Sequence, residues 1–122
     1  MQSTIPTIIR KRFCGPPNSG NGGYVCGLLA NAMAEPCQVT LHAPPPLDTE
    51  LQIFRDSDGA RLLQGDTLLG SARPYQLELT PPAAISLADA EAARPRFSGY
   101  EEHGLPGCFV CGTNRCEHDG LL

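Results

Sequence analysis

Proline and glycine clusters divide this 122-residue chain into short segments and so limit the helices and strands that it can form. The clusters stand at residues 15–20 (GPPNSG), 43–48 (APPPLD) and 81–82 (PP), and Pro36 stands alone. Proline and glycine interrupt both helices and strands. Between the first cluster and Pro36, the segment NGGYVCGLLANAMAE at residues 21–35 is long enough for a helix of several turns.

This segment has the pattern of a capped, apolar helix. Asn21 is a good N-cap residue, and Pro36 ends the helical pattern. Apolar side chains fall on nearly the whole circumference, which indicates a helix that is buried on all sides. The residues that form this pattern are Tyr24, Val25, Leu28, Leu29, Ala32 and Met33.

Strand patterns lie on both sides of the helix. Residues 5–13 are rich in β-branched and aromatic types, and CQVTLHA at residues 37–43 alternates apolar with polar side chains. Three further segments, ELQIFRD, ARLLQGD and TLLGSARP, are separated by turn residues and predict a meander of antiparallel strands. YQLELT at residues 75–80 is predicted to add one more strand, with Leu77 and Leu79 facing inward.

Two segments carry a family resemblance. NGGYVCGLLANAM (residues 21–33) and VTLHAPPPLDTELQI (residues 39–53) resemble the N-terminal half of tandem-hotdog acyl-CoA thioesterase-like proteins, and the resemblance spans about residues 8–80. It implies an α+β hotdog fold, in which an antiparallel β-sheet is wrapped around one central apolar helix.

The C-terminal residues CFVCGTNRCEHDGLL resemble the start of another such domain. The resemblance then implies a hotdog domain at residues 1–82, a linker at 83–107, and a tail at 108–122 that begins a truncated second hotdog. Within the linker, Ser86 is a candidate cap for a short helix, with Asp89 three residues further on.

The same tail offers an alternative interpretation as a zinc site. Cys108, Cys111, Cys116 and His118 are soft ligands, and the first two have a common zinc spacing, but Cys116-x-His118 does not match finger or ribbon spacings. We therefore predict no metal and no cofactor. The other cysteines, Cys14, Cys26 and Cys37, are predicted to be reduced thiols that serve packing.

The resemblance to thioesterases directs attention to the start of the helix. Thioester hydrolysis requires hydrogen-bond donors for the carbonyl oxygen, and backbone N–H groups at a helix N-terminus can supply them. Gly22 and Gly23 suit this role, Asn21 could cap the helix or donate a hydrogen bond, and Tyr24 could line an acyl tunnel. The structural alternative is that the two glycines only allow a tight turn into the helix.

No catalytic carboxylate is identified. Residues 24–34 contain no Asp or Glu, and Glu35 lies at the far end of the segment beside Pro36. The resemblance implies that the catalytic acid comes largely from a second half. The remaining candidates are predicted to lie in solvated loops or turns: Asp48, Glu50, Asp56, Asp58 and Asp66.

Three functional hypotheses therefore stay open: hydrolysis of an acyl thioester in a site shared across a dimer, binding of an acyl chain or another apolar small molecule without turnover, and a residual structural fragment. The sequence does not decide whether the protein is an enzyme.

Composition and length set the expected partners. Nine basic against thirteen acidic residues, with no basic cluster larger than residues 10–12, argue against nucleic acid. No run has membrane-spanning length and no secretory signal is present, so we predict a cytoplasmic protein. A chain this short buries little apolar surface alone, and an unpaired sheet edge needs a cover, so we expect a homodimer.

Overall fold

The computed structural model describes residues 2–122, which form one five-stranded sheet and two short α-helices. The elements are β1 Ser3–Ile8, α1 Gly22–Asn31, β2 Cys37–Leu41, β3 Glu50–Arg55, β4 Ala60–Gln64, β5 Thr67–Pro74 and α2 Leu87–Ala93. Single 3-10 turns follow β1 (Lys11–Phe13) and α2 (Arg94–Arg96 and Ser98–Tyr100).

The sheet is antiparallel throughout, with the strand order β1-β3-β4-β5-β2. Short turns join β3 to β4 and β4 to β5. In the first turn Asp56 accepts hydrogen bonds from the N–H groups of Asp58 and Gly59, and in the second Gly65 has a φ of 56°, which glycine adopts without strain. β1 and β2 therefore form the two edges of the sheet.

The core lies between α1 and one face of this sheet. Alternate residues of β3, Leu51 and Ile53, point into it, as the two-residue period of a strand requires. The helix comes close to β5 because Gly70 has no side chain: a Cβ there would stand 2.9 Å from Leu29 Cδ1. The other core residues are Ile9, Val25, Ala32, Ala60, Leu62, Leu69 and Ala72.

The expectation of a hotdog fold, with a sheet wrapped around one central apolar helix, is wrong. α1 has only ten residues, a length of about 15 Å, and it packs mainly on β2, β4 and β5. Its other side is open, because Gly23, Gly27 and Ala30 are exposed. None of these three residues belongs to the apolar pattern on which the expectation rested, and that pattern covers only about half of the helix circumference.

The strand predicted at residues 75–80 is also wrong. The segment forms no strand, and Leu77 and Leu79 are 73% and 70% exposed rather than inward. In contrast, the predicted cap of α2 is confirmed, since Ser86 Oγ accepts a hydrogen bond from the Asp89 N–H at 3.1 Å. α2 contributes no buried residue to the core.

Residues 101–122 form a series of turns without helix or strand. This C-terminal tail lies against the loop between β1 and α1: the Phe109 N–H donates to the carbonyl of Cys14 at 2.8 Å. Over residues 2–122, no helix combines the length and apolar character that crossing a bilayer requires.

Candidate functional site

The first turn of α1 is held by a loop on one side and by its own cap on the other. The Asn21 N–H donates to the carbonyl of Phe13 at 2.8 Å, and Asn21 Oδ1 accepts from the Tyr24 N–H at 3.1 Å. Gly20 lets the loop approach the helix, because a Cβ there would stand 2.9 Å from Val25 Cγ2. The predicted capping role of Asn21 is thus confirmed.

Gly22 and Gly23 follow the cap, where the positive end of the helix dipole lies. The N–H groups of these two residues have no hydrogen-bond acceptor among residues 2–122. Gly22 is half-buried and Gly23 is exposed. Two adjacent backbone donors are therefore available to an acceptor from solution.

The end of β2 borders these amides. A Cβ at Gly22 would lie 3.4 Å from Leu41 Cδ1, and Leu41, the last residue of the edge strand, is exposed. The helix N-terminus and the unpaired edge of β2 are thus neighbours in space.

Tyr24 lies in an aromatic stack at the start of the helix. Its ring stacks on Phe13 with a centroid distance of 4.2 Å and an angle of 7° between planes, and Phe109 meets Phe13 edge-on at 4.9 Å. The tail thereby adds a third ring. Tyr24 therefore forms part of an aromatic stack next to Gly22 and Gly23, and its role in lining an acyl tunnel stays a prediction.

An open cavity of about 600 Å³ lies elsewhere, beside β1, β3 and β4. Its lining includes Arg10, Glu50 and Leu63 but none of residues 21–24. The cavity is therefore separate from the amides of Gly22 and Gly23.

The tail brings Cys108 to the same helix N-terminus. Asn21 Nδ2 donates to Cys108 Sγ at 3.4 Å, so the side chain of Asn21 is engaged at both of its polar atoms. Burial alone would raise the pKa of Cys108, but hydrogen bonds from the N–H groups of Cys111 and Val110, the Cys111 thiol and Asn21 outweigh it and lower this pKa. The pKa of Cys111 is raised, chiefly because its thiol donates to Cys108.

Arg115 fixes the tail in place. Its guanidinium donates to the carbonyl oxygens of Gly107 and Arg12 at 2.7 and 2.9 Å, and it pairs with Asp119 at 3.0 Å. Sequence reasoning missed this role. The partners Arg12 and Arg115 are 103 residues apart, and no local pattern signals such a contact.

The zinc alternative receives no support from this geometry. Across residues 2–122, no three His, Cys, Asp or Glu side chains gather around a common point. Cys116 is exposed, and the exposed His118 side chain lies 3.5 Å from Glu117. The structure therefore brings Cys108 and Cys111 into one turn but does not gather the four residues of the zinc alternative.

Three other polar side chains outside the site have hydrogen-bond partners of their own. His42 Nε2 lies 2.8 Å from Ser71 Oγ, His103 Nδ1 accepts from the Leu105 N–H at 2.9 Å, and Asp48 Oδ1 accepts from the Lys11 N–H at 3.1 Å. None of these contacts reaches Gly22 or Gly23. Among residues 2–122, no carboxylate is hydrogen-bonded to either of these two glycines.

Comparison with protein-family models, curated proteins and solved structures finds no match to this chain. The functional argument therefore depends on the residues of the site itself.

Proposed function

We propose that the protein binds an acyl thioester, with the N–H groups of Gly22 and Gly23 donating to the thioester carbonyl oxygen, and that it does not hydrolyse its ligand. The observation that carries this proposal is the pair of backbone donors without an acceptor among residues 2–122. A carbonyl oxygen is the acceptor that such a pair fits, and the missing side chains let it come close.

Binding without turnover follows from the residues beside the donors. Hydrolysis needs a base or a nucleophile in addition to carbonyl polarisation. α1 contains no acidic side chain, and in residues 2–122 no hydrogen bond links a carboxylate to residues 21–24. The proposal is therefore closer to the acyl-binding hypothesis than to the thioesterase hypothesis.

A second copy of the chain would complete the site. β2 has an uncharged sequence, CQVTL, and no proline, whereas the other edge strand, β1, contains Pro6. Charge and proline protect sheet edges from pairing, so β2 is the edge better suited to it. Pairing two β2 strands about a two-fold axis would put Leu41 and Gly22 of both copies at the boundary.

Proline at position 22 gives a sharp test of the amide donors. Proline fits the first position of a helix and has no N–H, and the extended conformation of Asn21 (ψ 130°) suits a residue that precedes proline. Gly22→Ala is the matched control, because it adds a Cβ in ordinary contact with Leu41 but keeps the N–H.

The measurement is calorimetric titration with acyl-CoA thioesters of graded chain length, with free CoA as the control for the nucleotide part. We expect Gly22→Pro to weaken binding about three- to tenfold, the effect of one lost hydrogen bond, while Gly22→Ala retains it. Sedimentation of the same samples should show a dimer. Equal affinities of the two variants, or no binding by the unmodified chain at any chain length, would contradict the proposal.

A further inference from the structure

The tail contains a pair of thiols that acyl binding does not use. Cys108 is 3% exposed and Cys111 is half-buried, so the first is sheltered and the second can be reached from solvent. Both cysteines lie in one turn of the tail, in which the Gly112 N–H donates to the carbonyl of Cys108. The two thiols are therefore close to each other in the folded chain.

A tight turn keeps them together. The Gly112 N–H donates to the carbonyl of Cys108 at 2.9 Å. Phe109 lies between the two cysteines in the sequence, and its N–H donates a hydrogen bond to the carbonyl of Cys14. A Cβ at Gly112 would overlap the carbonyl oxygens of Cys108 and Pro106. This turn, residues 108–112, thus depends on glycine at position 112 and on contact with the core.

The surroundings of Cys108 favour its thiolate. The Asn21 amide donates to its sulfur at 3.4 Å, and hydrogen bonds at this sulfur outweigh burial, so that the pKa of Cys108 is lowered. Thiolate is the form that attacks a disulfide, and donors of this kind stabilise it.

From this geometry we propose that Cys108 and Cys111 form a dithiol site for thiol–disulfide exchange, with a small disulfide as the substrate.

Because Cys111 is more accessible to solvent than Cys108, Cys111 reacts first with the small disulfide. The Cys111 thiol loses its proton to solvent, and its sulfur attacks the small disulfide, forming a mixed disulfide and expelling one thiolate. The Cys108 thiolate then attacks the sulfur of Cys111, forming the internal S–S bond and expelling the second thiolate. The two cysteines lose two electrons and two protons, and the small disulfide becomes two thiols, so the exchange balances.

The other cysteines lack this arrangement. Cys14 Sγ donates to the carbonyl of Gly107 at 3.3 Å and Cys116 is exposed in the tail. Cys116→Ser is therefore a suitable control, because Cys116 belongs to the same tail but not to the turn.

Oxidised glutathione is the probe, applied to the full-length chain at neutral pH, with intact-mass and peptide analysis after acid quenching. We expect a loss of about 2 Da and a link between Cys108 and Cys111, reversed by reductant. Cys116→Ser should behave like the unmodified chain. Cys111→Ser should form no internal link, and Cys108→Ser should stop at the mixed disulfide on Cys111.

Asn21→Asp tests the second step. Aspartate keeps an oxygen for the Tyr24 N–H but puts an acceptor and a negative charge beside Cys108 in place of a donor. The mixed disulfide on Cys111 should then persist about fivefold longer, because less Cys108 is ionised. Circular dichroism should report the same fold as for the unmodified chain.

Three results would overturn the proposal: a link from Cys108 or Cys111 to another cysteine, a mixed disulfide that never resolves in the unmodified chain, or an internal link that forms equally fast in urea. The last would mean that the fold does not build the site.

Discussion

Residues 2–74 and residues 75–122 use apolar side chains in opposite ways. Leu51, Ile53 and Leu62 of the first region are buried beneath α1, whereas Leu77, Leu79 and Ile85 of the second stand in solvent. The side chains are equally hydrophobic. The difference is that the first region has two layers, a helix on a sheet, and the second has no second layer to cover its leucines.

The tail shows a third arrangement. Within the tail, which comprises residues 101–122, the part from residue 105 onwards docks onto the first region, mainly through main-chain hydrogen bonds, the Arg115 guanidinium and the ring of Phe109. Cys108 is the buried cysteine of this segment, and it accepts a hydrogen bond from Asn21 at the start of α1. Docking of the tail is therefore specific, but it rests on fewer buried atoms than the core does.

The largest expected effect is the loss of stability when a leucine is replaced by alanine, and this loss should differ between the two regions. Leu62→Ala creates a cavity in a fully buried site and should lower the free energy of unfolding by about 3 kcal/mol. Leu79→Ala, the same change at a side chain that is 70% exposed, should stay within about 0.5 kcal/mol. Urea unfolding followed by circular dichroism measures both values. A large loss for Leu79→Ala would mean that residues 75–87 are covered in solution.

The strands of the sheet were predicted from the sequence more accurately than the segment that follows them. The alternation in β2 and the turn at Asp56–Gly59 were local signals, and the strands β2 to β5 form where they were predicted. The extended pattern of Leu77 and Leu79 was equally clear, yet no strand pairs with it. Strand pairing depends on a neighbour in space, and a pattern of alternating residues does not contain that information.

The candidate site was predictable only in part. The cap at Asn21 and the free amides of Gly22 and Gly23 follow from residues next to each other in the chain. The bond from Asn21 to Cys108 joins residues 87 positions apart and could not be read from either segment. The tail was therefore interpreted from its cysteine spacing alone, without the surface on which it lies.

An effect of intermediate size should come from Arg115. Replacing it with alanine leaves the carbonyl groups of Arg12 and Gly107 without their charged donor, so the tail should separate from the loop more often. Hydrogen exchange at the Phe109 N–H should become about tenfold faster. A tenfold increase corresponds to a decrease of about 1.4 kcal/mol in the free energy of local opening. Arg94→Ala is the control, since Arg94 is exposed and its side chain makes no hydrogen bond within residues 2–122.

Unchanged exchange in Arg115→Ala would show that the ring of Phe109 and the main-chain bonds hold the tail by themselves. The contrast between a tail docked by polar contacts and a core held by burial would then need revision.

The smallest effect concerns pH and the two thiols. Hydrogen bonds lower the pKa of Cys108 in the folded chain, so the unfolded chain binds more protons at this residue between the folded and unfolded pKa values. The contribution of Cys108 to the free energy of unfolding is complete above the pKa of this thiol in the unfolded chain, about 8.5. This contribution is lost as the pH falls through the pKa of Cys108 in the folded chain. Cys111 has the opposite sign: its pKa is raised, so its contribution is lost as the pH rises through the folded pKa.

The two contributions together predict a stability maximum between the two folded pKa values, at about pH 8.5. The reference is the chain with Cys108→Ser and Cys111→Ser, because the raised pKa of Cys26, which burial causes, then cancels in the difference. Urea unfolding at several pH values under reducing conditions gives this difference. A difference that falls steadily from pH 6 to 9 would mean that Cys108 is not stabilised as the thiolate, and that the tail touches the helix N-terminus without changing its chemistry.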